Sequence, residues 1–265
     1  LCTCRSSDGR GEDRRWKGKH DRSTYSQWQT VGYARLGHTK LLKTKSGQTA
    51  REWRGHRMST ILNRWMPARS TDELAPYRSR LAQIDGLAPE MRNSTGAELH
   101  HRAQRLHDRV RAGQEPDDVT IEVFALVREV AQRTIGLRPF DVQIAGGLAL
   151  HEGRVVQMQT GEGKTLTAVA PAVLHALAGQ GVHVLTFNDY LAGRDAGWMA
   201  PIYEFLGLHV DCVQEGMSSP ERRTAYRADV TYVTAKEAGF DYLRDGLIMH
   251  PHDAVHRPLQ MALVD

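Results

Sequence analysis

Cysteine is scarce in this chain of 265 residues, which holds three. Cys2 and Cys4 lie at the amino-terminal end, and Cys212 stands alone far along the chain. Three thiols in this arrangement build neither a disulfide framework nor a four-cysteine zinc site, so the pattern favours reduced, incidental thiols.

Long apolar runs are also missing. No stretch approaches the ~20 apolar residues of a membrane span, and no apolar core of a secretory signal is found, so we expect a chain that is soluble or bound at a membrane surface.

Charge is distributed unevenly along the chain, although the sum is only +4 and the pI is 9.0. Residues 1–57 hold 14 Lys and Arg against 5 Asp and Glu, which leaves 21 against 26 for the other 208 residues. The first stretch therefore carries +9 and the rest −5. A basic protein invites a nucleic-acid function, but here the basic residues lie outside the part that carries the other motifs.

Residues 1–57 contain only five residues from Ile, Leu, Val, Phe and Met. Such a segment cannot bury enough apolar surface to fold alone. Three interpretations stay open: a disordered basic leader, an arm for nucleic acid or anionic lipid, or sequence that is not natively translated, since Met58 could serve as a start.

A phosphate-binding loop is indicated by the end of the stretch MQTGEGKT. Gly161 and Gly163 let the backbone turn with its N–H groups inward, Lys164 supplies charge for the outer phosphates, and Thr165 offers a hydroxyl to Mg²⁺. The usual pattern begins with a glycine where this chain has Met158. The flanking residues support the motif, because 154–160 alternate as in a strand and 166–179 are typical of an apolar helix.

Helices and strands are predicted on both sides of this loop. Residues 58–69 form a short amphipathic segment, which favours a packing helix over a membrane-surface anchor, and two helices are predicted at 96–112 and 118–135. After the loop, apolar strands alternate with helices up to MALVD, which ends in Asp265. This order predicts an α/β fold with a mostly parallel sheet that binds its ligand at the carboxyl ends of the strands. MALVD is typical of a Walker B strand, whose terminal Asp holds the Mg²⁺ of the nucleotide, but as a bare pattern it is weak.

Three stretches carry a family resemblance: LRPFDVQIAGGLALHEGRVVQMQTGEGKTLTA, VHVLTFNDYLAGRD and ADVTYVTAKEAGFDYLRD. They resemble the SecA family, the ATPase motor that drives preproteins through the bacterial SecY channel. The resemblance runs from about Met58 to Asp265, and residues 1–57 match no part of the family. That family has its own loop, M-x-TGEGKT, which accounts for Met158. The resemblance implies a RecA-like P-loop NTPase domain at 137–265, incomplete in its sheet, after a helical segment at 58–136.

The resemblance also assigns roles to individual residues. Gln143 matches the glutamine that reads adenine, and Leu137 and Phe140 match the apolar positions against its ring. Lys164 and Asp265 are the expected catalytic residues, and Thr165 and Asp265 the expected Mg²⁺ ligands, with Asp265 as the first Asp of the family's DEVD. The phosphate loop comprises Thr160, Gly161, Glu162, Gly163, Lys164 and Thr165.

Four further charged residues lie in motifs that couple nucleotide state to the rest of the family's machine: Asp189, Arg194, Asp241 and Arg244. Their alternative is a purely local function in salt bridges and helix caps. The chain departs from the family at Ala235, Lys236 and Gly246, which replace asparagines.

As a whole, the resemblance implies an ATP- and Mg²⁺-dependent motor part at the cytoplasmic face of the bacterial inner membrane. Its implied partners are the SecY channel complex, preproteins and anionic membrane lipids, with a homodimer left open and no nucleic acid expected. The family's general base and its arginine finger belong to parts that follow the Walker B Asp, so we expect little ATPase activity from these residues alone. The alternatives are half of a DEAD-box-like nucleic-acid motor and an inert truncated chain; the motif NDYLAGRD and the lack of an aromatic, basic stacking platform disfavour the nucleic-acid motor.

Overall fold

The structure is a computed structural model, which describes residues 41–42, 74–257 and 259–265. The predicted segment at 58–69 lies outside these residues. The predicted helices at 96–112 and 118–135 are confirmed as the second and third of the described helices. The helices are α1 (Arg78–Asn93), α2 (Gly96–Arg111), α3 (Pro116–Thr134), α4 (Asp141–His151), α5 (Lys164–Ala176), α6 (Asp189–Phe205), α7 (Ser219–Tyr226) and α8 (Ala235–Asp245). The strands are β1 (Leu41–Leu42), β2 (Val155–Val156), β3 (Val182–Thr186), β4 (Val210–Cys212), β5 (Val230–Thr234) and β6 (Met261–Val264).

Local signals explain where the amino-terminal helices begin. Thr95 caps α2 by a reciprocal capping box, in which the Glu98 carboxylate accepts the Thr95 N–H at 2.6 Å and the Thr95 hydroxyl accepts the Glu98 N–H. Pro116 opens α3, where its missing N–H costs nothing. Helix α3 contributes more buried residues than any other described helix and packs against α1, α2, α5 and α6. It therefore joins the helical segment to the nucleotide-binding part.

The four strands β4, β5, β3 and β6 form a parallel sheet in that order. Every residue of β5 is buried, and four of the five residues of β3 are buried, whereas β6 at one edge alternates between exposed and covered positions. Strands at the centre of a parallel sheet are buried on both faces and are rich in β-branched residues, whereas a strand at the edge can alternate between buried and exposed positions. The predicted α/β class with a parallel sheet and a helical amino-terminal part is confirmed.

The strand before the phosphate loop differs from its prediction. Of the predicted residues 154–160, only Val155–Val156 are extended into a ladder, and they pair antiparallel with Leu41–Leu42 rather than with the parallel sheet. Loop contacts occupy the backbone groups that a longer ladder would need, because the Gln159 N–H donates to the Glu162 carboxylate at 2.8 Å. One side of β2 is therefore covered by β1.

One cluster of buried apolar side chains runs from Tyr77 in the helical part, through Phe124 of α3, to Leu263 of β6. The helical segment and the sheet are thus held by a shared core. Within the described ranges, no helix combines the length and the apolar character that crossing a bilayer demands.

Candidate nucleotide-binding site

The phosphate loop has the backbone that its glycines predict. Gly161 and Gly163 have φ values of 88° and 82°, in the left-handed region that side-chain-bearing residues avoid. Gly163 is the N-cap residue that directly precedes α5, and in the described chain no side chain caps this end. The first turn of α5 thus offers backbone N–H groups and the positive end of a helix of 13 residues, which is a ready-made anion site.

Lys164 lies folded against the loop. Its ammonium is 3.5 Å from the carbonyl oxygens of both Met158 and Gln159. Among the described residues it has no carboxylate partner, so its charge is not neutralised by a protein anion. Thr165 follows it on the first turn of α5 and is half-buried. A phosphate group at this helix end would find the lysine charge and the hydroxyl next to each other.

Gln143 lies directly against the loop and is buried, with 7% of its surface exposed. Its side-chain N–H donates to the Glu162 carbonyl oxygen at 2.8 Å, and its side-chain oxygen accepts the Phe140 N–H at 2.9 Å. A primary amide has two N–H groups and two acceptor lone pairs, so one of each remains for a base edge. This geometry fits the adenine-reading assignment, and it adds a direct bond to the phosphate loop that the sequence did not indicate.

Leu137 and Phe140 stand beside Gln143 with their side chains accessible. Leu137 is 37% exposed and Phe140 is 70% exposed, although Pro139 between them is buried. Exposed apolar side chains next to a polar amide are the combination that holds the face and the edge of a purine. The three predicted base contacts therefore lie within seven residues around the start of α4.

Asp265 follows β6 at the carboxyl end of the sheet, where its N–H donates to the Leu185 carbonyl oxygen at 2.9 Å. Five residues connect α5 to β3, and α5 packs against β3, β5 and β6, so α5 runs antiparallel to the strands. The start of α5, with Thr165, accordingly lies toward the same end of the sheet as Asp265. One hydroxyl and one carboxylate suit Mg²⁺, which takes few protein ligands and keeps waters and phosphate oxygens. No group of three or more potential metal-binding side chains occurs among the described residues.

Asp189 and Arg194 make structural contacts at the start of α6. The Asp189 carboxylate accepts the Glu215 N–H at 2.7 Å, which ties α6 to the loop after β4. The Arg194 guanidinium bonds to Asp195 at 2.7 Å and lies 4.8 Å from the Trp198 ring centre. Burial raises the pKa of Asp195, the arginine partly offsets this, and the nearby Asp265 charge adds to the rise. Asp265 is therefore within electrostatic range of this pair.

Asp241 is the centre of a buried ionic network in α7 and α8. It is 1% exposed and accepts hydrogen bonds from Arg222 at 2.8 Å, from the Tyr226 hydroxyl at 2.9 Å, and from Arg244. Arg222 also pairs with the buried Glu237 at 2.7 Å. Burial raises the pKa of Tyr226, and the Asp241 carboxylate raises it further. Asp241 and Arg244 thus have the local contacts that their structural interpretation requires.

Lys236 is one of the positions where the chain departs from the family resemblance. Its side chain is 61% exposed, and its ammonium lies 3.9 Å from Glu215 and 3.8 Å from Glu237. The added charge faces carboxylates rather than other cations, so the substitution is electrostatically tolerated at this surface.

Comparison with known proteins agrees with this architecture. The profile of the SecA DEAD-like domain matches residues 62–265. The chain is 51% identical over 193 residues to the protein translocase subunit SecA of Rubrobacter xylanophilus, covering 73% of this chain and 21% of that protein. It is 47% identical over 208 residues to SecA of Caldicellulosiruptor saccharolyticus, covering 78% and 24%, and 47% identical over 189 residues to the chloroplastic SecA of Ostreococcus lucimarinus, covering 71% and 20%. The chain thus spans about a fifth to a quarter of the length of these relatives. With a phosphate loop at the start of α5, a parallel sheet beside it and these matches, the chain belongs to the SecA DEAD-like domain family.

Proposed function

We propose that this chain binds ATP with Mg²⁺ as the nucleotide-binding part of a SecA-type motor. The observation that carries the proposal is the contact of Gln143 with the phosphate loop, in which one amide bonds to Glu162 and keeps an N–H and a lone pair for a base. A base-reading group and a phosphate-binding group are therefore joined by one hydrogen bond. This arrangement fits a purine triphosphate better than a free phosphate or a dinucleotide.

Each residue of the site has a physical role in this proposal. Lys164 and the N–H groups at the start of α5 hold the phosphates, and Thr165 with Asp265 would hold Mg²⁺, which neutralises phosphate charge when bound. Leu137 and Phe140 contact the base ring, and Gln143 reads its edge. The remaining loop residues, Thr160, Gly161, Glu162 and Gly163, give the loop its turn.

The whole motor would couple ATP hydrolysis to the movement of preproteins through the SecY channel, at the cytoplasmic face of the membrane and in contact with anionic lipids. The relatives support this proposal, since they are named protein translocase subunits. A homodimer is compatible with the proposal but is not needed for the site, and no nucleic acid is expected to bind.

The test compares two substitutions with different targets. Lys164→Ala removes charge at the phosphates, so it should weaken ATP, GTP and inorganic tripolyphosphate alike, by roughly ten-fold or more. Gln143→Ala removes an edge contact, so it should lower the preference for ATP over GTP. Lys236→Ala is the matched control, because it removes an exposed lysine on α8. Titration calorimetry with each ligand decides the matter: an unmodified chain that binds no triphosphate contradicts the nucleotide site, and an equal loss for ATP and GTP with Gln143→Ala removes its base-reading role.

A further inference from the structure

Arg128 is a buried cation in the apolar helix α3, where it is 8% exposed. Its guanidinium donates three hydrogen bonds in three directions. Nε donates to the Pro139 carbonyl oxygen at 2.9 Å, Nη1 to Asp85 at 2.7 Å, and Nη2 to Asp141 at 2.6 Å. Only arginine has a planar set of donors that reaches three such acceptors at once.

Two of these acceptors belong to the segment that would contact the nucleotide base. Pro139 precedes Phe140, and Asp141 is the first residue of α4. The segment from Leu137 to Phe140 has no regular secondary structure, so its own backbone does not fix its position. Arg128 holds it from the inside, while the Phe140 side chain points to solvent.

The bonds continue from this anchor to the phosphate loop. Asp85 of α1 bonds to Arg128, which bonds to both sides of Phe140; the Phe140 N–H donates to Gln143, and Gln143 donates to Glu162. Helix α1 and the phosphate loop are thus connected by hydrogen bonds that meet at the peptide group between Pro139 and Phe140. Removing the buried guanidinium would leave two carboxylates and a carbonyl without their donor.

We propose that Arg128 is a positioning residue for the nucleotide base: it holds the Leu137–Phe140 segment and Gln143 in the geometry that binds adenine, without touching the nucleotide. This inference rests on the nucleotide site proposed above. The inference predicts different effects on the base and on the phosphates of the ligand, because the phosphate-binding groups at the start of α5 do not bond to Arg128. Loss of Arg128 should therefore weaken recognition of the base and spare recognition of the phosphates.

The experiment measures the affinity of the unmodified chain and of Arg128→Met for ATP and for inorganic tripolyphosphate, each with Mg²⁺. We expect Arg128→Met to lose about ten-fold in ATP affinity, with tripolyphosphate affinity changed by less than about two-fold. Arg133→Met is the matched control. Arg133 is also on α3 and also donates to backbone carbonyls, those of Met91, Arg92 and Ser94, but these lie at the end of α1. Arg133→Met should lower the melting temperature without changing the ratio of ATP affinity to tripolyphosphate affinity.

A milder pair keeps the inference testable if Arg128→Met does not fold. Asp141→Asn weakens the Arg128 bond at a half-exposed position. Asp117→Asn changes the same residue type in the first turn of α3 and weakens a bond to His151 at the other end of α4, away from the base segment. Asp141→Asn should lower the ATP affinity selectively, and Asp117→Asn should not. If the ratio of ATP affinity to tripolyphosphate affinity is the same in the unmodified, Asp141→Asn and folded Arg128→Met chains, the role of Arg128 is overturned while the nucleotide site stands. An unmodified chain that binds tripolyphosphate as tightly as ATP, or neither ligand, would overturn the inference together with the base site.

Discussion

Gly163 shows how one position serves both the turn and the base-reading residue. Its φ of 82° is strained for any residue with a side chain, and a Cβ placed on it would lie 2.3 Å from the Gln143 amide nitrogen. Gly161 has a similar φ of 88°, but a Cβ there would meet no atom within 4 Å. Comparison of the two glycines thus distinguishes the effect of backbone strain from the effect of contact with Gln143.

Substitution of these glycines by alanine should reveal this difference. Both Gly161→Ala and Gly163→Ala should lose about 1 kcal/mol of stability from the left-handed backbone. Gly163→Ala should also displace Gln143 and reduce the preference for ATP over GTP, whereas Gly161→Ala should change both affinities by the same factor. Competition binding with ATP and GTP measures this preference. An unchanged preference in Gly163→Ala would show that Gln143 does not need the space that the missing side chain of Gly163 leaves.

His183 of β3 makes folding sensitive to pH. Burial, together with the nearby His256 and Arg257, lowers its pKa to about 4; the Tyr226 ring lies 5.6 Å away. The unfolded chain, with a histidine pKa near 6.5, binds a proton more readily than the folded chain. Protonation of His183 therefore costs no stability above pH 6.5; as the pH falls toward 4 the unfolded chain takes up the proton first, and the loss of stability reaches on the order of 3 kcal/mol.

Denaturant unfolding between pH 7 and pH 4.5 tests this linkage. The unmodified chain should lose stability across this window, and His183→Gln should lose less, because glutamine does not titrate. If the free energy of unfolding falls equally with pH in the two chains, the acid sensitivity belongs to other groups, such as the carboxylates.

The phosphate loop could be predicted residue by residue because all its determinants are neighbours in sequence. Arg128 could not, since its partner Asp85 is 43 residues away and the pairing exists only after α1 and α3 have packed. The sequence signal was a cation within the apolar run VFALVREV, which amphipathic spacing alone treats as part of an exposed face. The bond from Gln143 to Glu162 likewise spans 19 residues.

At the scale of elements, α4 and α5 approach so closely that glycine is required between them. A Cβ on Gly147 would lie 3.0 Å from the Phe124 ring and 3.1 Å from the Thr167 carbonyl oxygen. That carbonyl lies four residues before Pro171, which has no N–H to bond to it. The base-reading helix and the phosphate-binding helix are therefore in backbone contact, and a small displacement of one moves the other.

Gly147→Ala should destabilise the chain by about 1–3 kcal/mol, because a backbone carbonyl and a buried ring must both shift. Gly86→Ala is its matched control in α1, where a Cβ would meet nothing within 4 Å and alanine should stabilise the helix by about 0.4–1 kcal/mol. Thermal unfolding of the two variants should move in opposite directions. Destabilisation by Gly86→Ala as well would indicate a general intolerance of α1 and α4 to alanine.

The boundaries of α2 and α3 were predictable to within about two residues, whereas the extent and the partner of the strand before the loop were not. The reason is the range of the interactions that fix each element. Helix α2 begins at the Thr95 capping box and α3 begins at Pro116, and both signals are visible in the sequence. The pairing of β2 depends on Leu41–Leu42, more than 110 residues earlier, and on loop contacts that end the ladder at Val156. Periodicity alone cannot show which partner a short strand takes.

At the scale of the whole molecule, the outer side of β6 has no strand partner among the described residues. Strand β6 pairs with β3 on its other side, and Val264 is 72% exposed. An exposed apolar edge of a parallel sheet is a template for pairing with another chain.

We expect this edge to cause self-association of the chain, which light scattering would follow as a function of concentration. Val264→Lys places a charge at the edge and should reduce the association. Leu243→Lys is the matched control, because Leu243 is an equally apolar, 62% exposed residue on α8, away from any strand. An equal reduction by both variants would assign the association to exposed apolar surface in general.

Turnover provides the last prediction for the molecule as a whole. Phosphoryl transfer needs a residue that orients the attacking water and a cation that stabilises the developing charge, and an arginine finger alone is worth ~10³ to 10⁵ in rate. The family resemblance assigns both groups to parts that follow the Walker B Asp, so these 265 residues should bind ATP but hydrolyse it slowly. Phosphate release would be measured for this chain and for a longer chain that includes the second motor domain. The Lys164→Ala variant of each chain would give the background rate. A rate that matches the longer chain would place the catalytic groups within residues 1–265, and Asp195 beside Asp265 would then be the first carboxylate to substitute.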